Sequence, residues 1–334
     1  MITKTIHGTT QAGEVAHLYT LSQEPFEVTI STYGGTIISL ITPDAHHHKK
    51  NIVLSYNTLS EYEQSNAFLG CLIGRVANRI RKGHFSIGEE TYTVPLWLET
   101  SSAIHGGPKG FCYQNWEATT SEDTHNSTLS LTYLSKDGEN GFPGNVKVQV
   151  DYSLTSKGEL EISYSATTDQ TTPLNLTNHS YFNLGNTRTV TDHVIHLPSK
   201  SYLPVDKEGI PLGTVEKVEH SHLDFTTPRR IEQTIYDNCY IIKERQDSSF
   251  IECAYVVEPS TKRSMRVYTT MEALQFFTND NVEIAPGVET GGFCLETQRY
   301  IDALNVPHFP SILLEPGKTY KEKTVYQFSI ADEL

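Results

Sequence analysis

The sequence has little of what would point to nucleic acid, a membrane or secretion. Its 334 residues include 26 Lys and Arg against 40 Asp and Glu, and the formal net charge is -14. This balance argues against nucleic acid or an anionic membrane surface as the main partner, because both attract cations. No run approaches the ~18 apolar residues of a membrane span, and the first residues, MITKTIHGTTQAGE, lack the apolar stretch of a secretory signal.

Cysteine is scarce and irregularly spaced. The five cysteines are Cys71, Cys112, Cys239, Cys253 and Cys294. No two form a C-x-x-C pair and their number is odd, which argues against a disulfide framework and a structural zinc site. Three adjacent histidines at 46–48 alternate in direction beside two lysines, so a solvated loop is favoured there over a metal site. We therefore expect a soluble protein of the reducing cytoplasm, without a metal.

Helical periodicity is also scarce, and the apolar residues mostly recur with a period of two. Every second residue is apolar over 146–154 and again over 160–166, and shorter alternating segments surround Leu131 and Val267. Alternation of this kind is typical of half-buried antiparallel strands. One short helix is predicted near 58–64, where Ser60 and Glu63 have the spacing of a capping box.

No internal repeat, low-complexity tract or linker divides the chain. Glycine-rich turns separate the alternating segments, as expected where strands follow one another directly. We predict a single all-β domain over residues 1–334, a large antiparallel β-sandwich with few short helices.

The segment 74–83, GRVANRIRKG, carries four cations within eight positions. Asn78 and Arg79 lie between Ala77 and Ile80, so part of the segment is expected to face a core. A guanidinium held by apolar neighbours is suited to binding hydroxyls or carboxylates. A solvated basic loop is the alternative interpretation.

Two further segments carry residues suited to acid–base chemistry. His105 precedes two glycines, which allow close backbone approach beside an imidazole, although a surface turn is the usual outcome. Glu296 follows the apolar run Phe293-Cys294-Leu295. A carboxylate in such surroundings is either part of a structural ion pair or a tuned acid or base.

Short motifs in a fixed order extend along the whole chain. They are YGGTIIS (33–39), GRVANRI (74–80), HGG (105–107), GFPG (141–144), NHSYFNL (178–184), PVD (204–206), LQFFT (274–278), FCLETQ (293–298) and FPS (309–311). Together they resemble the aldose 1-epimerase (mutarotase) family. The resemblance implies the galactose mutarotase-like supersandwich with an open cleft on one face. It also implies interconversion of the α and β anomers of free aldoses such as galactose and glucose.

The resemblance also implies roles for particular residues. Glu296 would be the general base, His179 the general acid and His105 the second histidine of the site. Sugar hydroxyls would be bound by Asn78, Arg79, Asp237 and Gln275. No cofactor is implied, the partner would be a monosaccharide, and a monomer or homodimer is expected. Relatives commonly carry Asp-His-Asn where this chain has Asp237-Asn238-Cys239, which bears on substrate preference.

The stretch LNLTNHSYFNL (174–184) combines apolar residues with three amides and a histidine. A buried amide or imidazole without a partner costs about 1–3 kcal/mol. With the family resemblance, the stretch is interpreted as a strand whose polar face lines a wet sugar cleft. His179 would face the substrate, and the asparagines would hold it and the adjoining loops in position.

Anomer exchange requires the sugar ring to open and to close on the other face. A base must take the proton of the C1 hydroxyl while an acid delivers one to the ring oxygen, and each is worth roughly 10²–10⁴ in rate. We expect the two groups on opposite sides of the C1–O5 unit. We also expect Glu296 or Asp237 to raise the pKa of His179 and so to extend the active pH range upward.

Three other functions are compatible with parts of the sequence. A hexose-6-phosphate 1-epimerase on the same scaffold would use extra cations, for which Arg75, Arg81 and Lys82 are candidates. A glycoside hydrolase would need two catalytic carboxylates, of which Glu296 alone has motif support. A non-catalytic carbohydrate-binding protein would need stacking aromatics, for which Trp97 and Trp116 are available although a core role suits each.

Overall fold

Alternating apolar residues form long antiparallel strands in the structure, a computed structural model of the chain. It describes residues 1–98, 100–233, 235–243 and 249–331. These residues form 27 strands, one short α-helix and two 3₁₀ turns. No helix within the described ranges is long and apolar enough to cross a membrane. The predicted all-β fold with few short helices is confirmed.

The elements follow one another closely along the chain. The strands are β1 (Ile2–Thr9), β2 (Val15–Gln23), β3 (Phe26–Ser31), β4 (Ile37–Pro43), β5 (Lys49–Asn51), β6 (Leu72–Ile73), β7 (Arg79–Arg81), β8 (His84–Ile87), β9 (Glu90–Thr93), β10 (Ser102–Ile104), β11 (Glu117–Glu122), β12 (Asn126–Ser135), β13 (Val146–Thr155), β14 (Glu159–Thr168), β15 (Thr172–Pro173), β16 (Thr177–Asn178), β17 (Val194–His196), β18 (Ser201–Leu203), β19 (Glu216–Lys217), β20 (Arg229–Arg230), β21 (Asp237–Ile241), β22 (Ile251–Val257), β23 (Arg263–Thr269), β24 (Ala273–Ala285), β25 (Val288–Gln298), β26 (Leu313–Leu314) and β27 (Tyr320–Ile330). The helix α1 spans Leu59–Gln64, and the 3₁₀ turns span Phe111–Tyr113 and Glu139–Gly141.

Three large sheets contain most of these strands. The largest has nine strands in the order β11-β12-β13-β14-β27-β23-β22-β17-β20. Two five-stranded sheets have the orders β1-β2-β3-β4-β5 and β19-β18-β21-β24-β25. Neighbouring strands in all three sheets run antiparallel, so short turns join many of them.

The inner face of the nine-stranded sheet packs against both smaller sheets. The main apolar cluster joins Leu21 of β2, Val150 of β13 and Leu295 of β25. Two buried tyrosines of the large sheet reinforce the contact, since Tyr152 donates its hydroxyl hydrogen to Gly35 O at 2.6 Å and Tyr326 donates to Leu295 O at 3.1 Å. Burying a large apolar side chain contributes about 1.5–3 kcal/mol, so the packing fixes the smaller sheets firmly. The single domain over 1–334 stays a prediction.

The N-cap of the short helix α1 lies two residues before the predicted one. Thr58 is the N-cap, and its hydroxyl accepts a hydrogen bond from the backbone N–H of Glu61. The Glu61 carboxylate in turn accepts from the backbone N–H of Thr58 at 2.8 Å. The predicted pairing of Ser60 with Glu63 is therefore wrong, because the competing Thr58–Glu61 pair has the same spacing two residues earlier.

The stretch 174–184 is not the continuous strand that its apolar residues predicted. Only β16 is regular, paired with β6, and isolated bridges lie at Asn175 and Phe182. All eleven residues are buried. The irregular path arises because buried amides bind the backbone of neighbouring segments in place of a regular ladder.

Candidate active site

One face of the sheet around β24 carries a cluster of polar side chains. Successive side chains of a strand point to opposite faces, so Leu274 and Phe276 enter the core while Gln275 and Phe277 face outward. The antiparallel register pairs residues across β21, β24 and β25. It gives one row of Cys239, Gln275 and Glu296, and a second row of Asp237, Phe277 and Cys294.

His179 lies over this face, next to Glu296. Its Nε2 is 3.6 Å from Glu296 Oε1, and the two side chains are 7% and 3% exposed. Its backbone N–H donates to Cys71 O at 2.9 Å, and its carbonyl accepts from the Gly70 N–H at 2.9 Å. The imidazole also stacks on Tyr181, with ring centroids 5.1 Å apart. Backbone and ring contacts therefore fix the histidine beside the carboxylate.

Glu296 Oε1 and His179 Nε2 lie close together. A separation of 3.6 Å leaves no room for a sugar ring between Nε2 and Oε1. The placement of acid and base on opposite sides of the C1–O5 unit stays a prediction, which this separation does not favour. The ring oxygen and the C1 hydroxyl oxygen are bonded to the same carbon, so adjacent acid and base can address both.

The asparagines of the stretch are paired with protein backbone. Asn178 donates through Nδ2 to Gly70 O at 2.8 Å, and Asn175 accepts through Oδ1 from the Arg299 N–H at 2.9 Å. Asn183 donates through Nδ2 to Gly291 O at 3.1 Å. These contacts attach the segment to the loops beside it, as predicted, and leave His179 as the polar residue that faces Glu296.

His105 and Asn78 hold one another through reciprocal backbone contacts. The Asn78 N–H donates to His105 Nδ1 at 3.2 Å, and the His105 N–H donates to Asn78 O at 3.0 Å. Because Nδ1 accepts a hydrogen bond, the proton of the neutral ring lies on Nε2. Burial, followed by the neighbouring His179 and Arg79, holds the pKa of His105 well below its usual range. His105 is thus a neutral hydrogen-bond donor.

Three residues of the site have a left-handed backbone, which side chains other than glycine adopt rarely. They are Phe68, Asn78 and His105, with φ of 56°, 62° and 52°. Gly106 must be glycine, since a Cβ there would lie 1.9 Å from Gly74 O. Such strained conformations concentrate at functional sites, where packing over-determines them.

Arg79, Asp237 and Gln275 form a polar chain at the outer end of the site. Gln275 donates through Nε2 to Asp237 Oδ1 at 2.5 Å. Arg79 Nη2 is 3.6 Å from Asp237 Oδ2, and its Nη1 donates to Asn78 Oδ1 at 3.2 Å. The Arg79 and Asp237 side chains are 23% and 40% exposed, so the site opens to solvent at this end.

Three buried oxygens of the cluster have no hydrogen-bond partner among the described residues. They are Gln275 Oε1, Glu296 Oε2 and Gln298 Oε1. Buried polar atoms are nearly always paired, so oxygens that the protein leaves without a partner are available to a bound molecule. A ligand that carries several hydroxyl groups would satisfy them.

Burial sets the protonation of the central pair. It raises the pKa of Glu296 well above its usual range, with Asp237 adding to the rise and Arg79 opposing it. It lowers the pKa of His179 to about 4. The expectation that nearby carboxylates raise the His179 pKa is therefore wrong, because loss of solvation disfavours the charged ring.

One aromatic residue of the site, Phe68, was not predicted, whereas Trp97 was among the candidates for stacking on a sugar. Phe68 is half-buried, and its ring centroid is 4.7 Å from that of His105 and 6.0 Å from that of His179. Trp97 lies behind it, with centroids 5.1 Å apart, whereas Trp116 packs on Phe111 in the core. Local sequence gave no signal for Phe68, because its position depends on a left-handed turn.

Donor atoms of His179, Cys294 and Glu296 lie within 4.8 Å of one another. Burial raises the pKa of both the Cys294 thiol and the Glu296 carboxyl, so each holds a proton that a metal would have to displace. The absence of a metal requirement stays a prediction, which dialysis against a chelator tests.

Comparisons with known proteins agree on one family. The family model described as "Aldose 1-epimerase" matches residues 17–327. The galactose mutarotase of Rattus norvegicus is 35% identical over 99% of both chains. The aldose 1-epimerase of Escherichia coli K12 is 32% identical over 90% of this chain and 91% of its own.

The fold agrees with the same group of proteins. The crystal structure of galactose 1-epimerase from Lactobacillus acidophilus NCFM superposes with a TM-score of 0.84 at 25% identity, over 98% of each chain. With the family match across most of the sequence, the chain belongs to the aldose 1-epimerase family.

Proposed function

We propose that this protein interconverts the α and β anomers of free aldoses by acid–base opening of the ring. The observation that carries the proposal is the buried pair of Glu296 and His179, 3.6 Å apart, with one carboxylate oxygen unpaired. A carboxyl and an imidazole in contact can exchange protons with two neighbouring oxygens of one sugar carbon. The family relatives named as mutarotases and epimerases support the same activity.

Glu296 and His179 act together once in ring opening and once more, with their roles reversed, in reclosure. The Glu296 carboxylate takes the proton of the C1 hydroxyl, His179 gives its Nε2 proton to the ring oxygen, and the C1–O5 bond breaks. The aldehyde rotates about C1–C2. Reclosure returns both protons along the same paths, so the enzyme ends as it began and needs no oxidant, reductant or covalent intermediate.

The pair therefore holds one transferable proton throughout the cycle. Before ring opening the proton is on His179, and after it the proton is on Glu296. Both arrangements have the same net charge. Burial favours the neutral arrangement, and sugar hydroxyls that donate to Glu296 Oε2 would restore the carboxylate.

We assign His105 and the outer chain to substrate positioning. The Nε2–H of His105 is a fixed neutral donor whose ring contacts His179, with centroids 5.3 Å apart. Arg79, Asp237 and Gln275 offer donors and acceptors at the open end of the site. Charge-assisted hydrogen bonds of this kind contribute roughly 1.5–3 kcal/mol each.

The alternative functions find less support. Arg75 cannot serve a phosphate, since its guanidinium is buried and donates to Ser135, Pro143 O and Gly144 O. Arg81 pairs with the buried Asp302. Asp237, the second carboxylate near Glu296, is bound by Gln275 and Arg79, which suits a binding group better than a hydrolase nucleophile.

Polarimetry tests the proposal. Freshly dissolved α-galactose or α-glucose should approach its equilibrium rotation faster with the protein than in buffer alone, in proportion to protein concentration. A protein that binds galactose in calorimetry without accelerating the change would be a binding module. Acceleration for galactose 6-phosphate or glucose 6-phosphate only would identify a sugar-phosphate epimerase.

We further propose a cytoplasmic protein that acts as a monomer or homodimer. All five cysteines are free and buried, which suits a reducing compartment. Sedimentation velocity at several concentrations would distinguish a monomer from a dimer.

A further inference from the structure

The contact on the far side of the His179 ring has no part in the mechanism above. Cys294 Sγ lies 3.6 Å from His179 Nδ1, within the range of a hydrogen bond to sulfur. Both residues are buried. The ring thus has Glu296 at Nε2 and a thiol at Nδ1.

Cys294 and Glu296 belong to the same strand and the same face. They are two residues apart on β25, so their side chains point in one direction. The strand is paired with β24 on one side, opposite Phe277 and Gln275. One rigid element therefore carries the base and the group that touches the acid, which fixes their relative positions.

Catalysis places a condition on the Nδ1 nitrogen. In the cycle Nε2 gains and loses a proton, so Nδ1 must keep its own proton whether the ring is charged or neutral. A neutral ring whose single proton is on Nε2 could not take up another proton at Nε2, from either Glu296 or the sugar. The hydrogen bond at one ring nitrogen decides which tautomer forms.

We propose that Cys294 is a positioning residue that accepts the Nδ1–H of His179 and so leaves Nε2 as the nitrogen that exchanges a proton with the sugar. The inference rests on the proposed function. It goes beyond it because it names the group that determines the tautomer of the acid.

A thiol serves here better than the usual partners of catalytic histidines. A carboxylate or carbonyl at Nδ1 would stabilise the imidazolium and weaken it as an acid toward a ring oxygen of low basicity. Sulfur is a weak acceptor, so it orients the ring with little effect on its acidity. The lowered pKa of His179, caused by burial, agrees with a partner that gives the charged ring little support.

The structure gives the positions of the other titratable groups around the His179 ring. Glu296 faces Nε2, the His105 ring meets the His179 ring edge-on and Tyr181 stacks on it. Arg79 and Asp237 act on Glu296 from the outer end. A substitution at Cys294 removes none of these five groups, so its effect on pH dependence reports the Nδ1 contact.

Nitrogen-15 NMR of histidine-labelled protein tests the tautomer directly. The His179 signals are identified by their loss in His179→Asn. At neutral pH the parental protein should show a protonated Nδ1 and a bare Nε2, and Cys294→Ala should show a mixture of tautomers. A parental ring with its proton on Nε2 would overturn the proposal.

Kinetics on α-galactose test the consequence. Cys294→Ala should lower kcat about 10-fold with little change in KM, because a misaligned proton donor slows the chemical step. Cys294→Ser should recover much of kcat and move the acid limb of the pH profile to higher pH, since oxygen accepts more strongly than sulfur. Cys253→Ala is the matched control, because this buried thiol donates to Val267 O on β23 and lies in the core.

The outcomes separate this proposal from the proposed function. A parental protein without mutarotase activity would refute the function itself. An active parent with Cys294→Ala equal to it in kcat and pH profile would refute the role of Cys294 alone. If Cys294→Ala does not fold, an unshifted acid limb in Cys294→Ser refutes that role instead.

Discussion

His179 Nε2 and Glu296 Oε1 lie 3.6 Å apart in a part of the site where neither side chain is more than 7% exposed. Two ionisable groups so close do not titrate independently, and their proton count belongs to the pair. The form with one proton is the form that can open a ring. This relationship determines the expected pH dependence.

The dependence of kcat/KM on pH should be bell-shaped. The acid limb marks uptake of a second proton, near the His179 pKa of about 4. The alkaline limb marks loss of the last proton, at the raised pKa of Glu296. Asp237→Asn should move the alkaline limb to lower pH, because a like charge that disfavours the Glu296 carboxylate is removed. Initial rates corrected for spontaneous mutarotation measure both limbs, and an alkaline limb that stays in place would contradict this assignment.

His179→Asn should reduce kcat more than His105→Asn does. His179 transfers a proton, which is worth roughly 10²–10⁴ in rate, whereas His105 donates one hydrogen bond, worth about 10-fold. Asn retains a donor at either position but cannot act as an acid. Steady-state kinetics of both variants on galactose provide the comparison, and equal losses or a larger loss at His105 would exchange the roles.

Glu296→Gln should stabilise the folded protein increasingly as pH rises above ~4.3, the ordinary Glu pKa. Above that value the unfolded chain loses the proton, while the folded chain keeps it because burial raises the pKa. The free energy of unfolding of the parent therefore falls with pH, by about 1.4 kcal/mol per unit until the folded pKa is reached. Glutamine does not ionise and avoids this loss.

Urea unfolding at pH 5 and pH 8 measures the difference. Glu289→Gln, at an exposed position of the same strand β25, is the control and should show no comparable gain. If the Glu296→Gln variant were no more stable than its parent at pH 8, burial would not disfavour the ionised form of Glu296.

Substrate preference should respond to Cys239 and not to Asn238. Cys239 lies in the row with Gln275 and Glu296, and Gln298 donates to its sulfur at 3.9 Å. Asn238 pairs with the core residue Phe276, so its side chain points to the other face. Cys239→Asn should change the ratio of kcat/KM between galactose and glucose about fivefold, the equivalent of one hydrogen bond of ~1 kcal/mol.

Asn238→His is the matched control and should leave the ratio unchanged. Kinetics of the two single variants on both sugars make the test. If Asn238→His alone changed the ratio of kcat/KM between the two sugars, Asn238 would affect substrate preference even though its side chain lies outside the row of Cys239, Gln275 and Glu296.

The sequence predicted those features that depend on short-range patterns. The alternation over 146–154 corresponds to β13, whose even-numbered side chains are buried throughout. Motifs shared with the family named Glu296, His179 and His105, and the structure brings these residues together. Both kinds of inference rely on information that is local in the chain.

Long-range register and left-handed turns could not be predicted. Cys294 meets His179 only because β25 pairs with β24 beneath a segment 115 residues earlier in the chain. Phe68 reaches both histidines through a turn with φ of 56°. Protonation also depends on burial, which local sequence does not reveal. The pKa of His179 therefore moves in the direction opposite to the one expected from its charged neighbours.

The most direct test is the rate of galactose mutarotation by purified Glu296→Gln. The substitution keeps the shape of the side chain and removes its basicity, so kcat should fall by 10²-fold or more while KM changes little. Circular dichroism and the unfolding curve establish that the fold is intact. A Glu296→Gln protein that is folded and mutarotates galactose at the parental rate would contradict the assignment of Glu296 as the base.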